Sequence, residues 1–351
     1  MKILFLYTRL ADYFYQGLRY LAAEKDAELL VITQRPDPNA PFQFEEQKRL
    51  QIKDGSGLSL KALEQLALSF QPDILYVAGW ADPRYRKLAR DYRQKGVPVV
   101  LGMDNPWKGT LRQSFGALIG KYRIQKMASH IWVPGSPQYA FASRLGFSQT
   151  QILTGLYCAN IQAFAEAGKK RKSYPRKLLF VGRFVDYKQP LQLARTFQQL
   201  QQEKPSDWSL HFIGRGPLET ELKKIGGPNL YIHDFVPPQR LPATLAEYGV
   251  FCLPSQNEHW GVVVHEAAAA GMPLLLSDTV GAADAFLIPG FNGFTFQTGN
   301  ESDLQEKLKH LMESTDSELQ SMGANSKNLA MQWDYPRWAA TLLSVKPTLK
   351  P

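Results

Sequence analysis

GVFCLPSQNEHWGVVVHEAAAAGMPLLLSD (249–278) reads as a strand, a loop, a helix and a second strand. GVFCLPS and MPLLLSD are apolar on both faces, as strands of a parallel sheet covered on both sides are. SQNEHWG is a polar loop, and VVVHEAAAAG a helix that begins near Gly261 and is closed by Gly271. Glu258 falls on the loop in front of that helix, and Glu266 in its second turn. The amides of Gly261, Val262 and Val263 lack intrahelical acceptors and point into the space before the helix. Such amides suit phosphate oxygens, whereas carboxylates accept from donors such as sugar hydroxyls. An unpaired charge in so apolar a helix is costly, which weighs against a purely structural Glu266. One group for phosphate and two acids for hydroxyls describe a nucleotide sugar.

The same rhythm runs outward through the chain. Strands are expected at KILFLY (2–7), ELLVIT (28–33), DILYVAG (73–79), VPVVLG (97–102), HIWVPG (130–135) and TQILTG (150–155). A second series follows at KLLFVG (177–182), WSLHFIG (208–214), NLYIHDF (229–235), GVFCLPS (249–255), MPLLLSD (272–278) and NGFTFQ (292–297). Amphipathic helical stretches separate them, so two α/β domains with parallel sheets are expected. The proline-rich QRPDPNAPFQFEEQKR (34–49) reads as a loop. The expected division is a first domain over 1–165, a linker over 166–176, a second domain over 177–332 and a C-terminal helix over 333–351.

Composition narrows the class. With 44% hydrophobic and 12% aromatic residues the chain suits a globular protein. No apolar run approaches the roughly 20 residues that span a bilayer. MKILFLYTRLADYF reads as a first strand rather than a signal peptide, because Arg9 and Asp12 follow at once without a cleavage site. Cys158 and Cys252 imply no disulfide framework, so a reducing cytoplasm is expected. Residues 1–170 hold 23 basic and 14 acidic residues, which is the whole net charge of +9. Residues 84–126 alone hold eleven basic and two acidic ones, which points the first half at something anionic.

Two further motifs follow strands, where ligands of open α/β sheets bind. In VGRFVDYK (181–188), Gly182 permits a close turn, and Arg183 and Lys188 stand before a helix, a receptor for a diphosphate or merely two solvated bases. IGRGPLETELKK (213–224) is half of a dinucleotide fingerprint; at most it says that a backbone turn passes close to something flat, such as a nucleobase.

Taken in order, VGR-x4-K, IGxGP, DFVPPQRL and E-x7-E within GVVxxEAxAxGxP resemble the donor half of GT-B glycosyltransferases of the family 4 type, over roughly residues 130 to 345. The resemblance implies two doubly wound Rossmann-like domains facing across a cleft, and anomeric retention with no metal or other cofactor. It implies that Arg183 and Lys188 hold the donor diphosphate, Glu258 the transferred sugar and Glu266 the ribose. The Gly261, Val262 and Val263 amides would lie near the donor, and Phe235 and Val236 would line the base pocket. WDYPRWAATLL would form the helix that crosses back to the first domain. The first domain departs from the pattern: LYTRLADYFYQG has Gly17 alone where many members have a Gly-Gly turn. No histidine follows VPVVLG; LGMDNPW offers Asp104 and Asn105 instead. Asp104 would either orient acceptor or sugar hydroxyls or cap the helix near Lys108.

As a helix, residues 108–127 align Leu111, Phe115, Leu118, Ile119 and Tyr122, flanked by Lys108, Arg112, Arg123 and Lys126. Two readings stand for this stripe. It rests on the inner face of an anionic membrane near a lipid-linked acceptor, or it faces the core with a solvated basic edge. Nucleic acid is not an expected partner, since no recognition module is present. The expected function is transfer of a sugar from a nucleoside diphosphate (UDP, GDP or ADP) to a glycan or lipid-linked acceptor hydroxyl. A silent nucleotide-sugar binding protein and a GT-B epimerase or phosphorylase are the alternatives.

Overall fold

KILFLY and ELLVIT form β1 (Lys2–Tyr7) and β2 (Glu28–Thr33), and every residue after the first is buried in both. Strands without a polar face need cover on both sides, and the two pair in parallel with Lys2 opposite Glu28. The computed structural model describes residues 1–34, 44–169 and 174–345. Helix α1 (Asp12–Glu24) connects β1 to β2 and buries Phe14, Leu18 and Leu21, the spacing of one helical face. After β2 comes β3 (Leu50–Asp54), a strand not expected from the sequence. LQIKD buries only Leu50 and lies at the sheet edge, where a short polar strand is tolerated but gives little signal. Of the expected loop 34–49, residues 35–43 lie outside the described residues. The unit continues through α2 (Leu60–Phe70), β4 (Ile74–Ala78), α3 (Pro83–Gln94) and β5 (Val99–Gly102). It then runs through α4 (Leu111–Gln125), β6 (His130–Val133), α5 (Ser136–Arg144) and β7 (Ile152–Thr154).

The strand order is β3-β2-β1-β4-β5-β6-β7, all parallel, so the winding reverses between β1 and β4. Alternate residues feed opposite cores: Leu4 and Leu6 join one cluster, and Ile3 and Phe5 the other.

The second unit opens with α6 (Ile161–Gly168), then β8 (Lys177–Val181), α7 (Pro190–Glu203), β9 (Ser209–Ile213) and α8 (Glu219–Ile225). Next come β10 (Leu230–His233), α9 (Leu241–Leu245), β11 (Val250–Leu253), α10 (Val262–Ala269) and β12 (Leu274–Ser277). It ends with α11 (Ala283–Phe286), β13 (Gly293–Phe296), α12 (Glu301–Glu313) and α13 (Asp316–Ala330). Its order, β10-β9-β8-β11-β12-β13, repeats the first sheet's winding, with the reversal between β8 and β11.

The two compact units are Met1–Cys158 with Tyr335–Pro351, and Ala159–Asp334. The division thus falls before α6 rather than at residue 165, because α6 lies on α10 so closely that a Cβ on Gly168 would be 2.4 Å from the Ala270 carbonyl oxygen. Residues 170–173 of the expected linker lie outside the described residues. The last helix, α14 (Tyr335–Leu343), belongs to the first unit and packs on α1. There Gly17 serves packing: a Cβ on it would come 3.1 Å from the Trp338 ring.

Both ends of the second unit are tied to α10 by His265. The Ala159 amide donates to Nδ1 at 3.2 Å, and Nε2 donates to the Ala330 carbonyl at 3.0 Å. These roles require the neutral ring, and burial pushes its pKa down to about 4. The unfolded chain takes up a proton near 6.5, the folded one only near 4. His265 therefore contributes stability above pH 6.5 that is lost as pH falls toward 4, about 3 kcal/mol in full. Chemical denaturation at pH 7 and pH 4 should show a smaller drop in His265→Gln than in the wild type; equal drops would contradict this.

Candidate active site

In the second unit the strand ends at the winding reversal are those of β8 and β11. After β8 the chain turns at Gly182, whose amide donates to the Ile213 carbonyl at 3.0 Å. It then makes a single 3-10 turn, Asp186–Lys188, which places Lys188 just before α7. After β11 the loop from Ser255 to Trp260 is held on both sides. The Gln256 amide donates to the Tyr187 carbonyl at 2.7 Å, and the Glu258 and Trp260 carbonyls accept from Gly281 and Ala282 at 3.0 and 2.9 Å. This frame brings Lys188 and Glu258 into an ion pair whose side chains are only 14% and 15% exposed.

Gly261 caps α10 with φ of +92°, a conformation that side-chain-bearing residues rarely adopt, and a Cβ there would lie 3.2 Å from Cγ of Glu258. Val262 and Val263 open the helix, so their amides have no intrahelical acceptor. Glu266 is half-buried within α10 among buried Val264, His265 and Ala267. Arg183 is exposed; its guanidinium donates to the Tyr187 hydroxyl and lies over that ring, 5.8 Å from its centroid. Tyr187 was not expected from the sequence, since an aromatic within a loop motif carries no distinct signal. Phe235 and Val236 follow β10, at the sheet edge. The Phe235 ring is exposed, and its amide donates to the Asp234 carboxylate at 2.6 Å.

The glycines of IGRGP have a different cause from the one expected. A Cβ on Gly214 would lie 2.0 Å from the Gly182 oxygen, and one on Gly216 2.4 Å from the Phe184 oxygen. The Phe184 amide donates to the Arg215 carbonyl at 2.9 Å, so the backbone passes close to the neighbouring loop. That close approach accounts for the motif without a flat ligand.

The first unit has its own strand-end pocket at the reversal between β1 and β4, a cavity of about 380 Å³. Tyr7, Arg9, Trp80, Asp104, Asn105 and Tyr157 are among its lining residues. Asp104 accepts a hydrogen bond from the Tyr157 hydroxyl at 3.1 Å. It does not cap α4: Thr110 does, accepting from the Gln113 amide at 3.2 Å. Burial, reinforced by neighbouring tyrosines and Asp104, holds the Tyr7, Tyr76 and Tyr157 phenols well above their usual pKa, so they stay neutral donors. Gly102 is needed here, since a Cβ would meet the Tyr76 hydroxyl at 2.1 Å. This phenol cluster was not foreseen, because its members come from separate strands and loops.

The stripe of residues 108–127 does form a helix, α4, but it does not face the core. Leu111, Phe115, Leu118, Ile119 and Tyr122 are 60–79% exposed. No helix among the described residues is long and apolar enough to cross a membrane.

Residues 162–329 match the family model described as glycosyl transferases group 1. The O-antigen biosynthesis glycosyltransferase WbnH of Escherichia coli is 29% identical over 220 residues, 62% of this chain and 61% of that protein. The chain spans between 50% and 61% of the length of the first curated relatives it matches. Among solved structures, a sucrose-phosphate synthase from Thermosynechococcus elongatus superposes with a TM-score of 0.77 at 16% identity, covering 98% of both chains. Anabaena Alr3699/HepE in complex with UDP superposes at 0.75 and 16% identity, covering 98% of this chain and 100% of that one.

Proposed function

We propose that the protein is a retaining, metal-independent glycosyltransferase: residues 162–329 match the glycosyl transferases group 1 model, and the superposition on solved structures supports a GT-B fold. It moves a sugar from a nucleoside-diphosphate sugar to an acceptor hydroxyl on a glycan or a lipid-linked sugar. The observation that carries this reading is the Lys188–Glu258 pair at the β8/β11 reversal, in front of the first turn of α10.

Lys188 and Arg183 bind the diphosphate, joined by the Val262 and Val263 amides. As the glycosidic bond breaks, charge grows on the departing phosphate, and these donors stabilise it there. Glu258 accepts from the transferred sugar's hydroxyls, and Glu266 from the ribose. Asp104, oriented by Tyr157, does the same for hydroxyls bound in the first unit's pocket. The protein works in the cytoplasm and touches the inner face of the membrane through residues 108–127.

Calorimetric titration with UDP, GDP and ADP tests the donor site, with UDP first because the Anabaena neighbour holds it. One nucleotide should bind selectively, and Glu266→Gln should weaken it about ten-fold through loss of a charged hydrogen bond to ribose. Binding of all three unchanged in Glu266→Gln would remove Glu266 from the site. Product analysis then separates transfer from epimerisation or phosphorolysis, which would yield an altered nucleotide sugar or a free sugar phosphate.

A further inference from the structure

Neither strand-end site uses the surface around α4. Among the described side chains of its fifteen residues only Ala117 and Ile124 are buried, so the helix is anchored along one narrow line. Scattered exposed apolar residues are ordinary on any protein, but five on one helical stripe form a patch that calls for a partner.

Beside α4 runs a groove of about 730 Å³. Arg86 and Arg90 of α3 line one side, and Lys108 and Arg123 the other. No carboxylate is among the described lining residues, while Ile124, Met127, Phe141 and Leu145 give it apolar surface. The Arg86 guanidinium is held by the Trp80 carbonyl at 2.8 Å, which fixes its position and leaves its charge uncompensated. Gly116 and Gly120 supply the α4 wall, and a Cβ on Gly116 would meet nothing within 4 Å, so the missing side chains keep the groove open.

Four cations in a groove whose described lining holds no carboxylate, together with apolar lining and an adjacent apolar stripe, match an amphiphile with a phosphate head. We propose that this groove binds the phosphate headgroup of an anionic phospholipid while the α4 stripe lies in the headgroup–acyl boundary of the bilayer. This deepens the membrane contact proposed above by assigning it a headgroup site. A second copy fits the surface less well, because a two-fold contact would bring the same basic flanks against each other.

Cosedimentation of the full chain with phosphatidylcholine vesicles, with and without phosphatidylglycerol, tests the assignment without donor or acceptor. The wild type should bind the phosphatidylglycerol vesicles and lose affinity in high salt. Arg90→Ala with Arg123→Ala should weaken that binding about 30-fold, which is about 2 kcal/mol at 1.4 kcal/mol per tenfold. Gly116→Leu fills the groove and leaves every charge in place, so it should abolish the preference for phosphatidylglycerol. Phe115→Ser with Ile119→Ser should reduce binding to both vesicles. An unchanged thermal unfolding midpoint verifies that each variant is folded.

Wild-type affinity in either the double arginine variant or Gly116→Leu would overturn the headgroup site. So would a dimer in sedimentation velocity that Phe115→Ser with Ile119→Ser disperses, in a chain that ignores vesicles. Because no nucleotide is present, failure here leaves the nucleotide titration, and with it the transferase reading, to be judged separately.

Discussion

Trp338→Ala should destabilise the first unit by about 3–5 kcal/mol, the range for removing a large aromatic side chain from a core. Trp338 sits on α14, far along the chain from the strands it covers, and is 3% exposed. Its ring meets Phe14 edge-on at 5.3 Å between centroids and Trp132 at 5.1 Å, and its Nε1 donates to the Leu156 carbonyl at 2.9 Å. Truncation leaves both a cavity and a buried carbonyl without its donor, which places the loss toward the upper end. Gly17→Ala should act from the opposite side of the contact. Its Cβ would press on the ring at 3.1 Å, and overpacking of this kind costs about 1–3 kcal/mol. Because the chain forms two units, urea unfolding should be followed by probes specific to each. A loss below about 1 kcal/mol in Trp338→Ala would show that α14 is not part of the first unit's core.

Those contacts also mark what the sequence could and could not disclose. Among the described residues, twelve of the thirteen strands are largely apolar runs with turn residues after them, and most of these are buried, as strands of a covered parallel sheet are. The thirteenth, LQIKD, is half polar and lies at an edge, so its pairing with β2 is decided by the sheet rather than by its own residues. Gly17 shows the limit for glycines: beside a first strand it resembles a turn residue, but its reason for being small is a tryptophan over 300 residues later. Gly214 and Gly216 mislead similarly, because close approach to a ligand and close approach to a neighbouring loop demand the same residue. The Lys188–Glu258 pair joins two motifs that were each legible, yet nothing in either motif says that they touch. Likewise, an amphipathic pattern in residues 108–127 predicts a helix but not which way its apolar face turns. That depends on how little of α4 the neighbouring α5 covers.

Lys188→Ala should weaken nucleoside-diphosphate binding by about 10- to 100-fold, from the loss of one charged hydrogen bond worth about 1.5–3 kcal/mol. Arg183→Ala should cost less, since Arg183 is exposed and its charge is screened by solvent, whereas Lys188 is largely enclosed. Lys188 also neutralises Glu258, and removing it leaves a carboxylate with little solvent beside the entry to α10. Glu258→Gln separates these two effects. It keeps the shape of the site and releases Lys188 from its partner, so affinity for the nucleoside diphosphate should hold or rise. Affinity and turnover for the nucleotide sugar should fall instead, because the amide is a weaker acceptor for sugar hydroxyls. Calorimetry with the diphosphate and with the intact nucleotide sugar reads the two variants side by side. If both lose diphosphate affinity equally, Lys188 and Glu258 act as one structural clamp on the loops after β8 and β11. If only Lys188→Ala does, the lysine binds phosphate and the glutamate is left for the sugar.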